Sequence, residues 1–346
     1  MNSNKRLQDM EKDANLGSAE STRAIPSGET WGETIRRSLS VPQFVLFLIV
    51  LVLLIIGGII NPRFLGVDNM KIVTRDIAIL AIAAIGVGFP ILTGGIDLSV
   101  GSVVGLGGVM VAYFMMRLGY PVWLSILLTL ILALLIGWVH GLFVTKLKMH
   151  GFLITLVTLG LARGFILVLT NAFPITGLPR EFNTIGQGYV ANLIPVPLVI
   201  CAVIAALAFY LLRFTYIGRQ IYATGGNAEA ARLSGVSVDA RIILCYVISV
   251  MCAATVGMIQ AARLSIGHPA AGEGYELLAI AACILGGVSL MGGEGGIFGI
   301  LVGAALIGTV QNEMVMLNIN PFWHKIVISL VLLVAITLDY ARRRRE

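Results

Sequence analysis

Charge is scarce in this chain. Only 12% of its 346 residues are Asp, Glu, Lys or Arg, against roughly 25% in an average soluble domain. Hydrophobic residues make up 58%, which excludes an ordinary soluble globular fold. No Gly-Lys dipeptide occurs, so there is no P-loop to cradle nucleotide phosphates. The Gly-x-Ser-x-Gly elbow of serine hydrolases is also missing. Ser289 sits in Gly287-Val288-Ser289-Leu290-Met291-Gly292 instead, which argues against an intramembrane hydrolase. The four histidines (His140, His150, His268, His324) are scattered and form no metal-ligand pattern. The four cysteines (Cys201, Cys245, Cys252, Cys283) all lie in apolar stretches. No disulfide framework is expected of them.

What is present is apolar sequence in long runs. Ten segments can be drawn, near 43–60, 77–93, 99–116, 122–144, 152–170, 194–212, 242–262, 276–291, 297–316 and 324–340. Several approach the ~20 residues that a helix needs to cross a bilayer. The expected fold is therefore all-α and polytopic, with about ten transmembrane helices forming one domain over 43–340. Forty glycines suit such helices, because small residues let backbones approach closely. Residues 1–42 are polar and of mixed charge. They do not read as a secretory signal peptide and are expected to form a largely disordered tail. Residues 341–346 form a short basic tail.

The net charge of +6 reflects topology rather than nucleic acid. With the N-terminus placed inside, sixteen Lys and Arg fall on the inner side, seven on the outer side, and Arg163 within a segment. That excess follows the positive-inside rule and puts both termini in the cytoplasm.

Two glycine-rich interruptions stand out. Thr93–Gly101 reads TGGIDLSVG and sets one carboxylate, Asp97, between two apolar runs. Its core, Gly94-Gly95-Ile96-Asp97-Leu98, nearly recurs as Gly286-Gly287-Val288-Ser289-Leu290. A charge at the centre of a membrane helix costs roughly 2.5–3.5 kcal/mol on insertion scales. Asp97 can line a translocation path, or it can hold a broken backbone together by accepting free amides. Ser99 is placed to cap the following helix. Six crossings separate the two breaks, so both face the same side, as in a parallel repeat.

The longest inner loop, 213–241, carries a second pattern. Asn227 is a good N-cap, and Glu229 in the first turn complements the helix dipole. Gly235 suits the left-handed position after a helix end. These residues predict a two-turn helix over Ala228–Ser234, too short to be stable alone. It is either a surface turn between spans or a docking helix for a cytoplasmic protein.

Three stretches then become recognisable together: TGGIDLSVGS (93–102), ATGGNAEAARLSGV (223–236) and GYELLAIAACILGGVSLMGGEGGIFG (274–299). In order and spacing they resemble the ribose-type permease subunits of bacterial ATP-binding-cassette importers, over about residues 43–340. The resemblance implies a homodimeric inner-membrane permease surrounded by lipid. It would be fed by a periplasmic sugar-binding protein and driven by a cytoplasmic ATPase. ATP and Mg would belong to that partner, with no cofactor on this chain. The coupling helix would be Gly226, Asn227, Glu229, Ala230, Ala231, Arg232, Leu233, Ser234 and Gly235. Two positions depart from the family pattern: Glu294 between glycines, and Glu313 after Asn312.

Further candidates lie in the membrane. The pathway or helix-break set is Gly94, Gly95, Asp97, Ser99, Arg163, Gln260, Gly286, Gly287, Ser289 and Asn312. Arg163 lies roughly 16 Å deep in its segment, so it needs an interior partner, either a carboxylate (Asp97 or Glu276) or carbonyl groups. Gln260 and Asn312, near outer segment ends, can offer amides to sugar hydroxyls or simply sit at an interface. An ion-coupled secondary transporter is the competing function, since broken helices occur there too.

Overall fold

The computed structural model describes residues 42–320 and a scatter of positions from 322 to 337. The expected tails at 1–42 and 341–346 lie outside the described residues except for Pro42. The described chain is helical almost throughout. Its helices are α1 (Pro42–Ile60), α2 (Val67–Leu92), α3 (Val100–Met116), α4 (Val122–Lys146) and α5 (Gly151–Thr170). They continue with α6 (Arg180–Gln187), α7 (Val196–Phe214), α8 (Tyr216–Gly226), α9 (Ala228–Leu233) and α10 (Val238–Leu264). The last two are α11 (Tyr275–Leu285) and α12 (Ile297–Met316). Among the described residues, α2, α4, α5, α7, α10 and α12 are long and apolar enough to span a bilayer. Most of the tenth drawn segment lies outside the described residues.

Some boundaries move. α2 begins at Val67 rather than near 77, with Asp68 in its first turn, where a carboxylate complements the helix dipole. α11 stops at Leu285 rather than running to 291, because Gly286 and Gly287 end it. The inner loop is more helical than expected. α8 fills 216–226 ahead of the predicted short helix, and Thr215 caps it by accepting from the Gly218 amide at 3.2 Å.

The centre of the bundle is α10, which packs against α2, α3 and α4. α4 meets it through a buried stripe of small residues every fourth position: Ser125, Thr129, Ala133, Gly137 and Gly141. A β-carbon on Gly137 or Gly141 would run into the α10 backbone at Val247 or Ile243. This is close packing of the small-xxx-small kind. The hydroxyl of Thr129 is satisfied within α4, donating to Ser125 O at 2.8 Å.

Burial separates the helices into two sets. α2 is enclosed from Ala78 to Leu92 without a break, and α3 is buried over most of its length. α4, α5 and α7 instead expose Leu127, Leu134, Trp138, Leu161, Val168 and Leu207. Apolar surface on this scale does not face water in a soluble monomer; here it is the lipid-facing coat. Two small antiparallel pairs close the connections. Ile175–Thr176 pairs with Ile266–Gly267, and Tyr189–Val190 pairs with Ile194–Pro195. The second pair is joined by three residues, Ala191–Leu193, of which Ala191 and Asn192 both take positive φ and the Leu193 amide donates to Val190 O at 3.1 Å.

Candidate functional site

The two glycine breaks and the α8 end of the 213–241 loop meet at one place. The Gly293 amide donates to Leu92 O at 3.0 Å, joining the second break to the end of α2. Gly225, near the end of α8, lies between them. A methyl on Gly225 would collide with the Leu92 carbonyl oxygen and the Gly293 amide. Tyr222, one turn earlier on α8, donates its hydroxyl to Gly295 O at 2.8 Å. Burial pushes the Tyr222 phenol above its ordinary pKa, so it remains a donor. Three glycine pairs (94–95, 225–226 and 292–293) thus form a junction of bare backbone.

Each break is built by a helix terminus. At the end of α2, Gly94 adopts φ +80° and the Gly95 amide donates to Pro90 O at 2.9 Å. At the end of α11, Gly287 adopts φ +82° and the Val288 amide donates to Cys283 O at 2.9 Å. Both are glycine stops in which the left-handed residue satisfies orphan carbonyls. Gly286 is the helical residue before the stop. The structural match therefore pairs Gly94 with Gly287, one residue off the sequence repeat.

Beyond the stops the sequence register returns. Asp97 is fully buried, and its Oδ1 accepts from the Ser99 amide at 2.9 Å and the Ser99 hydroxyl at 2.6 Å. Its Oδ2 accepts from Ser249 Oγ on α10 at 2.7 Å. Ser289 occupies the equivalent turn, accepting from the Met291 amide at 3.2 Å. Ser99 does stand at the start of α3, but its side chain caps nothing there, because Asp97 takes its hydroxyl proton.

Arg163 is satisfied by carbonyls. It donates to Pro269 O at 2.6 Å, Ala271 O at 3.1 Å and Gly101 O at 3.4 Å. Neither Asp97 nor Glu276 forms an ion pair with it. The segment 268–274 thus dips back beside the start of α3. Irregular backbone at such depth is stable only when protein encloses it and satisfies its polar groups. Asn312 forms a reciprocal amide pair with Asn69 on α2, at 2.9 and 3.1 Å. Gln260 faces Tyr275 beside the Asp76–Arg263 ion pair. These residues do not converge with Asp97 on one polar cavity.

α9 stands beside the junction. Asn227 Oδ1 accepts from the amides of Glu229 and Ala230, at 3.1 and 2.9 Å. The Gly235 amide donates to Arg232 O at 3.0 Å, and Gly235 takes φ +81°. Ala231 is buried, whereas Leu233 is 86% exposed. Gly226 and Ser234 bracket the helix, and Glu229, Ala230 and Arg232 lie on its exposed side. Tyr222, Gly293 and Gly295 are not among the expected site residues, and Gly225 is expected only as the start of the coupling helix. Repeated Gly-Gly pairs were the available signal, but sequence alone does not say which of them touch.

An apolar multi-helix bundle with two glycine breaks bonded to each other, and a loop helix packed against both, defines a polytopic membrane protein of the transport kind. The family described as "Branched-chain amino acid transport system / permease component" matches residues 69–336, and the chain belongs to it. It is 42% identical to the ribose import permease protein RbsC of Haemophilus influenzae, over 85% of this chain and 91% of that protein. It is 41% identical to RbsC of Bacillus subtilis, with the same coverage. The D-allose transport system permease protein AlsC of Escherichia coli is 32% identical, over 85% of this chain and 90% of that protein. No solved structure matches the chain.

Proposed function

We propose that this chain is the permease subunit of an ATP-driven importer that moves ribose, or a related pentose or hexose, across the bacterial inner membrane. The observation that carries the reading is the extent of likeness to sugar permeases, which runs through both breaks and the α8–α9 segment. The family description speaks of branched-chain amino acids, but the relatives compared above are sugar permeases by name. The chain is a multi-pass inner-membrane protein and a transport subunit rather than an enzyme. In the finer reading it has about ten spans, both termini in the cytoplasm, and a second copy of itself as partner. A periplasmic sugar-binding protein delivers the substrate. A cytoplasmic ATPase, which carries ATP and Mg, docks on α9.

The junction explains how such docking reaches the membrane. α9 follows α8 after one residue, and Gly225 on α8 touches the ends of both breaks. A push on α9 is therefore delivered to the end of α2 at Leu92 and to Gly293 within the second break. Ala230 lies exposed on α9, so Ala230→Glu leaves the fold intact and spoils the docking face. The expected result is normal membrane insertion, loss of ATPase co-purification and loss of labelled ribose uptake. Proton-coupled uptake by this chain alone, with no ATPase, would establish the secondary-transporter alternative instead.

A further inference from the structure

α9 is tied to a second exposed turn. Arg232, in its last turn, donates to Asp239 Oδ1 at 2.9 Å. Lys146, at the end of α4, donates to Oδ2 of the same carboxylate at 3.0 Å. Asp239 therefore holds the α4–α5 turn and α9 as one surface. Between them lies an open cleft of about 470 Å³, lined by Thr145, Lys148, Arg232, Val236, Ser237 and Asp239 among others. Lys148 is exposed there and, among the described residues, makes no hydrogen bond or ion pair. Lys146 and Arg232 share the Asp239 carboxylate while Lys148 adds a cation unpaired among the described residues, so the cleft is net positive.

The α4–α5 turn also leads to the first break. Four residues into α5, Thr155 Oγ1 donates to Gly151 O at 2.9 Å and accepts from the Leu98 amide at 3.1 Å. Leu98 is the neighbour of Asp97. A partner seated in the cleft would therefore load α5 directly against the 93–99 segment, independently of the route through Gly225.

We propose that the α4–α5 turn is a second docking element for the cytoplasmic ATPase, with Lys148 receiving a carboxylate of that partner in the cleft beside α9. This rests on the α9 reading above. Charge complementarity selects the occupant: an acidic protein surface fits a net-positive cleft and is repelled by none of its exposed cations. An isolated solvated lysine would show none of the following behaviour.

The test uses the full chain in lipid nanodiscs and the ATPase subunit that co-purifies with it. Association is measured for wild type, Lys148→Glu, Lys148→Arg and Ala230→Glu at low and high salt. Lys148→Glu is expected to slow association about tenfold at low salt, with the gap closing as salt rises, because rim charges act mainly on association rate. Lys148→Arg should stay within about twofold of wild type. Thermal stability of all three should match wild type, since Lys148 makes no bond among the described residues and Ala230 is exposed. If Lys148→Glu associates like wild type while Ala230→Glu does not, the second docking element is wrong and the α9 reading stands. If Ala230→Glu also associates normally, both are wrong.

Discussion

The two glycine breaks share a plan and differ in their anchors. The first, 93–99, is fixed by a buried carboxylate that accepts three hydrogen bonds, one of them from Ser249 on the central helix. The second, 286–296, is held by neutral bonds: Ser289 to its own turn, Gly293 to Leu92 O and Tyr222 to Gly295 O. It also exposes Met291 at 74%. Charge-assisted bonds are roughly twice as strong as neutral ones. The first break is thus bound to the membrane core, and the second to α2 and the α8 segment. The second is the more weakly anchored partner, and it is the one that bonds to α8.

That contrast can be broken most severely at Asp97. Asp97→Ala leaves the Ser99 amide and two hydroxyls without their acceptor in a buried site, at a cost of about 3 kcal/mol or more. The expected outcome is a large fall in melting temperature in detergent. Asp97→Asn, which keeps acceptor capacity, should recover much of it. An unchanged melting temperature for Asp97→Ala would remove the anchoring role.

A smaller effect is expected at the junction. Gly225→Val forces the α8 backbone away from Leu92 and Gly293, and overpacking of this kind costs typically 1–3 kcal/mol. Sugar uptake should fall much further than stability does. Uptake at wild-type rate would show that contact between α8 and the breaks is dispensable.

At the second break, Ser289→Ala removes the bond from the Met291 amide, worth about 1 kcal/mol, and a smaller fall in melting temperature than for Asp97→Ala is expected. A loss equal to that of Asp97→Ala would erase the distinction between the breaks. Glu294→Gln should be the mildest change, within about ±0.5 kcal/mol. Glu294 is exposed and contributes only its carbonyl oxygen, which accepts from the Ser289 amide at 3.1 Å. If Glu294→Gln changes uptake without changing stability, that departure from the family pattern bears on substrate or partner choice.

Much of this molecule was legible before its structure. Apolar runs gave the helices, because in a bilayer an unpaired backbone group has no water to turn to. The α9 caps were legible for the same local reason: Asn227 and Gly235 act on amides and carbonyls within a few residues. Arg163 shows where legibility stopped. Its depth demanded a partner, but the carbonyls that serve it belong to Pro269 and Ala271, more than a hundred residues away. Asn312 likewise pairs with Asn69, 243 residues away, a partner no local pattern names.

By itself, then, the sequence determined the membrane class, the helix stops and the capped α9, all of which depend on local geometry and on the solvent a segment can enter. Only the tertiary structure decided that Leu92, Gly225 and Gly293 touch. It alone decided that Asp97 is satisfied by Ser249, and that the two breaks match one residue out of register at their stops. Those facts depend on which distant backbones come within hydrogen-bonding distance, and glycine permits such an approach without naming its partner.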